Sequence, residues 1–124
     1  MTEQTNRRYL DRREIPGAEI LYRFQGSRKL FAKYHGPTII RNLSKSGVCF
    51  ESLQELNPGD QIEMKILIPG ERNIKLKGKI VWSSFLESQK TPLSGMQFLP
   101  FGASRKYNPM VSLSRLRNIT ENYN

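Results

Sequence analysis

Scarcity narrows the field before any motif is read. The 124 residues hold one cysteine, one histidine and one tryptophan. A single cysteine excludes an intramolecular disulfide and any multi-cysteine metal cluster. The single histidine, His35, stands beside Gly36-Pro37 and reads as a surface loop residue rather than a base or ligand. It has no second histidine with which to build a His/Cys metal site, and the carboxylates show no paired spacing. A glycine-rich loop of the nucleotide-hydrolase type is missing too. An enzyme is therefore not expected. No apolar run approaches the roughly 18 residues that a membrane helix requires, so membrane insertion is not expected. Met1 to Arg8 lack the apolar centre of a secretory signal. With the lone thiol, this points to a soluble, reducing setting, the cytoplasm.

Acidic residues are scarce as well. Asp and Glu number 11 against 20 Lys and Arg, a net charge of +9. Such a surface favours an anionic partner without naming it. The length suits one domain, and a chain of this size buries about two-thirds of its unfolded surface. No internal repeat or low-complexity tract interrupts it.

Residues 1–16 read as a polar arm that carries Arg7, Arg8, Arg12 and Arg13. Pro16-Gly17 marks the break, and residues 17–124 read as the folded unit. Ala18, Ile20, Tyr22 and Phe24 alternate with Glu19, Leu21 and Arg23, as in a half-buried strand. The pattern is weak from Leu30 to Tyr34. Thr38–Leu43 and Val48–Glu51 read as strands around the turn Ser44-Lys45-Ser46-Gly47. Ile62, Met64, Ile66 and Ile68 form one inward row, and Ile74, Leu76, Gly78, Ile80 and Trp82 a second. Lys75, Lys77 and Lys79 line the solvated face of the latter. Gly78 suggests a bulge or bend. A last strand near Ser94–Leu99 turns Met96 and Phe98 inward. After Gly102 the period changes: Asn108 suits a helix cap with Pro109 in the first position, and Met110, Leu113, Leu116 and Ile119 form a helical stripe. The helix is expected over about 105–122. Together these predict an all-β, six-stranded antiparallel barrel with a C-terminal helix.

Two local groupings carry binding chemistry. Arg8 and Arg12 lie four residues apart, and guanidinium groups grip phosphate bidentately and stack on flat bases. Asn42-Leu43-Ser44-Lys45-Ser46-Gly47 puts short hydrogen-bonding groups at a strand–turn–strand junction, where Gly47 permits positive φ or close approach. Each alone also fits an ordinary basic tail or an ordinary turn. Cys49, between Val48 and Phe50, reads as a packed thiol.

In this order the two groupings resemble the PilZ domain family, whose pattern is RxxxR on an N-terminal arm followed by [D/N]xSxxG. Here these are Arg8-Tyr9-Leu10-Asp11-Arg12 and Asn42-Leu43-Ser44-Lys45-Ser46-Gly47. Leu56-Asn57-Pro58-Gly59-Asp60, Gly78-Lys79-Ile80-Val81-Trp82 and Gly95-Met96-Gln97-Phe98 extend the likeness over roughly residues 7–117. The resemblance implies a PilZ-type six-stranded barrel and a receptor for cyclic di-GMP, with no cofactor. By match to the motif, Arg8 and Arg12 would contact phosphate and guanine, Asn42 and Ser44 a guanine edge, and Gly47 would leave room for the base. Arg7 and Arg13 could add contacts. Asn42 stands where many members carry Asp, which removes a charge-assisted bond and implies weaker binding. The expected output passes through an unidentified downstream protein. Two alternatives stand beside this reading: a basic barrel that binds RNA or single-stranded DNA, and a PilZ domain that docks proteins without ligand.

Overall fold

The computed structural model describes residues 14–25, 33–86 and 91–122. Its strands are β1 (Glu19–Phe24), β2 (His35–Leu43), β3 (Gly47–Glu51), β4 (Gln61–Leu67), β5 (Ile74–Leu86) and β6 (Thr91–Phe98), followed by helix α1 (Met110–Asn122). The six strand-to-strand pairings are antiparallel, and the order β1-β2-β3-β6-β5-β4 closes into a barrel. Closure gives every strand a neighbour on both sides, while the Trp82–Leu86 end of β5 pairs with β6 alone.

The core is built from rows of opposed residues, because directly paired positions share a face. One inward row joins Tyr22, Met64 and Leu76; another joins Ile20, Ile66 and Ile74. A third runs through Leu43, Val48, Met96 and Ile80. All ten side chains are buried in one cluster. Tyr22 lies 5.4 Å from Phe50, ring to ring, and its Oη accepts the Leu53 amide at 2.9 Å. A buried tyrosine thereby keeps its polar end satisfied.

Three interruptions break the regular pairing. In the β1–β2 ladder the register shifts between Ile20 and Tyr22, opposite the Gly36-Pro37 segment of β2. Arg41 is the extra residue where Ile40 faces Phe50 but Asn42 faces Cys49. Val81 is the extra residue where Ile80 faces Met96 but Trp82 faces Gly95.

The structure corrects several expectations. Gly78 is not the bulge; it pairs regularly with Ile62 and Phe98. What it provides is room, since a Cβ there would strike the Met96 thioether and approach Gln97 O to 2.6 Å. Trp82 is not core: the bulge at Val81 turns it outward, half-buried. Strand β5 runs to Leu86, β6 begins at Thr91 and β2 begins at His35, each longer than the alternation suggested. Leu30–Ala32 lie outside the described residues. Helix α1 starts at Met110 rather than near 105, and Met110 is 53% exposed; the buried side is Ser112, Leu116 and Ile119.

Asn108 is not a helix cap. Its side chain reaches back to β5, where Oδ1 accepts the Lys77 amide at 2.7 Å and Nδ2 donates to Lys77 O at 2.9 Å and Leu99 O at 3.0 Å. Its own backbone pairs with Pro100 O and with the Gly102 amide. A buried carboxamide thus stands in for a strand residue and ties the 99–108 loop to the barrel.

Candidate functional site

The turn between β2 and β3 is organised by Ser44. Its Oγ accepts the amides of Ser46 at 3.1 Å and Gly47 at 3.2 Å, and lies 3.0 Å from Ser46 Oγ. The Ser44 amide donates to Gly47 O at 2.9 Å. Serine hydroxyls stabilise turns through this local capture of backbone amides. Ser44 is 5% exposed, so in this state its hydrogen-bonding capacity serves the turn. Ser46, exposed, carries the hydroxyl that faces solvent.

Gly47 does not adopt positive φ. Its missing Cβ is needed for another reason: a Cβ would collide with the carbonyl oxygen of Met96 across the β3–β6 pair. The Phe98 amide donates to Ser46 O at 2.9 Å, which pins the turn to β6.

Asn42 owes its position to the bulge. Thr38 and Ile40 are buried at spacing two, and Asn42 would be next in that row. The extra residue Arg41 sends Leu43 inward instead and leaves Asn42 half-buried on the outer face. Among the described residues no hydrogen bond takes the Asn42 carboxamide.

The outer face continues sideways from Asn42. The pairings Asn42–Cys49, Cys49–Gly95 and Gly95–Trp82 form one lateral row across β2, β3, β6 and β5. At strand spacing of about 4.8 Å the row spans roughly 14 Å. Gly95 has no side chain, and the Trp82 indole lies over it so closely that a Cβ would overlap the ring. Cys49 is 7% exposed but stands apart from the core cluster, on this outer row. Beside it Arg41 and Glu51 pair at 2.9 Å. Sequence reasoning missed Gly95, Trp82 and Ser46 as members of this face. Strict alternation assigns Trp82 to the core, and only the bulge reverses it.

Arg7, Arg8, Arg12 and Arg13 lie outside the described residues, as does the arm up to residue 13. The point from which they extend is fixed. Ile15 is 4% exposed and joins the core cluster. Glu14 and Ile15 line one pocket with Ile39, Ile40 and Arg41. Residue 14 therefore stands beside the strand that leads into Asn42.

No group of His, Cys, Asp and Glu suited to a metal occurs among the described residues, and no described helix is long and apolar enough to cross a membrane.

The PilZ domain family model matches residues 11–106. The chain belongs to the PilZ domain family. No curated protein matches. A solved structure, the Bacillus subtilis inhibitor of motility, is similar in fold with a TM-score of 0.64 at 10% sequence identity. The similarity covers 85% of this chain and 46% of that one, so the chain spans about half its length. The six-stranded antiparallel barrel with one C-terminal helix is thus the PilZ-type architecture that the residues implied.

Proposed function

We propose that this PilZ domain is a receptor for cyclic di-GMP, bound between the N-terminal arm and the outer face at Asn42–Gly47, that signals to a partner protein and performs no catalysis of its own. The observation that carries the reading is the convergence of two anchors. The bulge at Arg41, just before the Ser44-built turn, puts Asn42 outward with its carboxamide in no described hydrogen bond. Glu14, two residues after Arg12 in sequence, lies beside Ile39–Arg41 of the strand leading to that turn.

The ligand presents two phosphates and two guanines. Arg8 and Arg12 supply charge-assisted bonds to phosphate and planar stacking on guanine. The Asn42 carboxamide offers a donor and an acceptor to a guanine edge. Ser44 holds the turn that aims it, and Gly47 lets that turn close on β6. Arg7 and Arg13 add positive charge on either side of the motif. Each charge-assisted bond contributes about 1.5–3 kcal/mol. That offsets an ordering cost of about 1–2 kcal/mol for each arm residue fixed. The outcome is an altered surface that a downstream protein reads.

The test is isothermal titration of the chain with cyclic di-GMP, with GTP and a short single-stranded RNA as controls. Saturable heat with the cyclic dinucleotide alone, lost in Arg12→Ala, supports the assignment. No heat from the dinucleotide would overturn it.

A further inference from the structure

A second charged feature lies on the other side of the barrel. In the closed strand order β4 is three places from β3, so the β1–β4–β5 surface faces away from the Asn42 turn. There the 102–110 segment and the start of α1 stand off the sheet and leave a cleft of about 850 Å³. Among the described residues its walls carry Arg23, Lys75, Lys77 and Arg105 against one acid, Glu63. Glu63 is already matched by Arg23 at 3.0 Å. The net field in the cleft is positive.

The apolar groups at the mouth are exposed. Tyr107, before α1, is 43% exposed and Met110, its first residue, 53%. Tyr34 lines the same cleft, but its ring already lies beneath Arg23 at 4.4 Å and Lys65 at 4.5 Å. The Tyr107 ring packs on Gly102, where a Cβ would come within 2.9 Å of it. These contacts decide the kind of anion. A single-stranded nucleic acid needs aromatic faces open for base stacking. Here the Tyr34 face is taken by cations and one side of Tyr107 by backbone. Cations beside exposed Tyr107 and Met110 suit carboxylates alternating with aliphatic side chains, and Tyr, Met and Arg are enriched at protein contacts.

We infer that the Tyr107–Met110 cleft is a docking site for an acidic, aliphatic-rich segment of a partner protein. The inference does not require cyclic di-GMP to bind, since it concerns a separate surface. The cations steer the segment and set its register. Tyr107 and Met110 receive its apolar side chains.

The probe is a fluorescent peptide alternating glutamate and leucine, titrated into the whole chain by anisotropy and by amide NMR shifts. A glutamate–serine peptide and an oligothymidylate serve as controls. Shifts are expected at Lys75–Lys77 and residues 102–111. The exposed double variant Lys75→Glu/Arg105→Glu is expected to bind about tenfold or more weakly, with thermal unfolding unchanged. Arg117→Glu, an exposed charge change elsewhere on α1, is expected to bind as the unaltered chain does. Tyr107→Ser separates the apolar contribution from the ionic one and is expected to weaken the leucine peptide selectively. Equal affinity of the two peptides would overturn the inference. So would equal binding by the double variant, or shifts centred on the Asn42 turn. Tighter binding of oligothymidylate in the cleft would overturn it in favour of nucleic acid.

Discussion

Asn42 and Ser44 are two residues apart and contribute in different ways. Ser44 Oγ accepts two backbone amides, whereas the Asn42 side chain takes part in no described hydrogen bond. Ser44→Ala leaves those amides with a poorer turn, so it should lower stability by about 1–2 kcal/mol and weaken ligand through a loosened site. Asn42→Ala should leave the urea midpoint nearly unchanged and weaken cyclic di-GMP binding by about tenfold, the loss of one or two hydrogen bonds. Paired denaturation and titration of the two variants checks this; a stability loss at Asn42 with affinity retained would refute it. Tyr22 sets a pH dependence. Burial pushes its phenol above the ordinary 10.0, while the backbone hydrogen bonds from Leu53 and Gln54 pull the other way. The raised value means that the fold favours the neutral phenol. Its contribution is complete below pH 10 and is lost as pH climbs from there through the folded-state value. Tyr22→Phe should flatten that alkaline loss relative to the unaltered chain. It should also cost on the order of 1–2 kcal/mol near neutrality, because the Leu53 amide loses its acceptor. Urea midpoints at neutral and strongly alkaline pH test both parts, and an unchanged alkaline slope in the variant would count against the assignment.

At the scale of elements, two bulges shape the candidate face. Arg41 in β2 and Val81 in β5 each insert one residue, and each puts the following residue on the outer surface. The consequence for β5–β6 is measurable because Trp82 is the one tryptophan. Gly95→Ala places a methyl where the indole lies. The indole must lift, so its emission should shift to the red and become easier to quench, with a stability loss of about 1–3 kcal/mol from overpacking. An unchanged spectrum would mean that the ring does not rest on Gly95. The same bulges explain what the sequence could and could not reveal. Periodicity of two was legible in the β4–β5 hairpin, where the pairs from Gln61–Lys79 to Ile66–Ile74 keep register without interruption. It failed at Trp82, since a bulge reverses the face and leaves no mark in composition. The helical stripe located α1 but included exposed Met110, because hydrophobicity does not say what a helix end faces. Asn108 before Pro109 looks like a cap in sequence; its long-range bonds to Lys77 and Leu99 were visible only once the barrel was closed. The motif turn was legible as a position. The distinction between Ser44 as builder and Asn42 as presenter was not, since both are small polar residues suited to a turn.

For the whole molecule the deciding quantity is how the +9 charge acts on its partners. A basic barrel attracts any polyanion, so affinity by itself does not separate a dinucleotide receptor from a nucleic-acid binder. Salt dependence does. A ligand with two phosphates can displace at most two counterions' worth of charge. With a single-strand slope of about −0.7 per phosphate, its affinity should fall only about sevenfold between 50 and 200 mM salt. A single strand making six to ten phosphate contacts loses about 300- to 16,000-fold over the same range. Specific site binding should also stabilise the fold by about 2.7 kcal/mol at one hundred times the dissociation constant. For a domain of this size that corresponds to a rise in Tm of roughly 10 °C. GTP should give no such rise, and Arg12→Ala should abolish it. The two readouts depend on different physics, screening in one case and linkage in the other. A shallow salt slope with a ligand-specific rise in Tm marks a built site joining arm and barrel. A steep slope for RNA with no rise from the dinucleotide would instead make the positive surface itself the binding element.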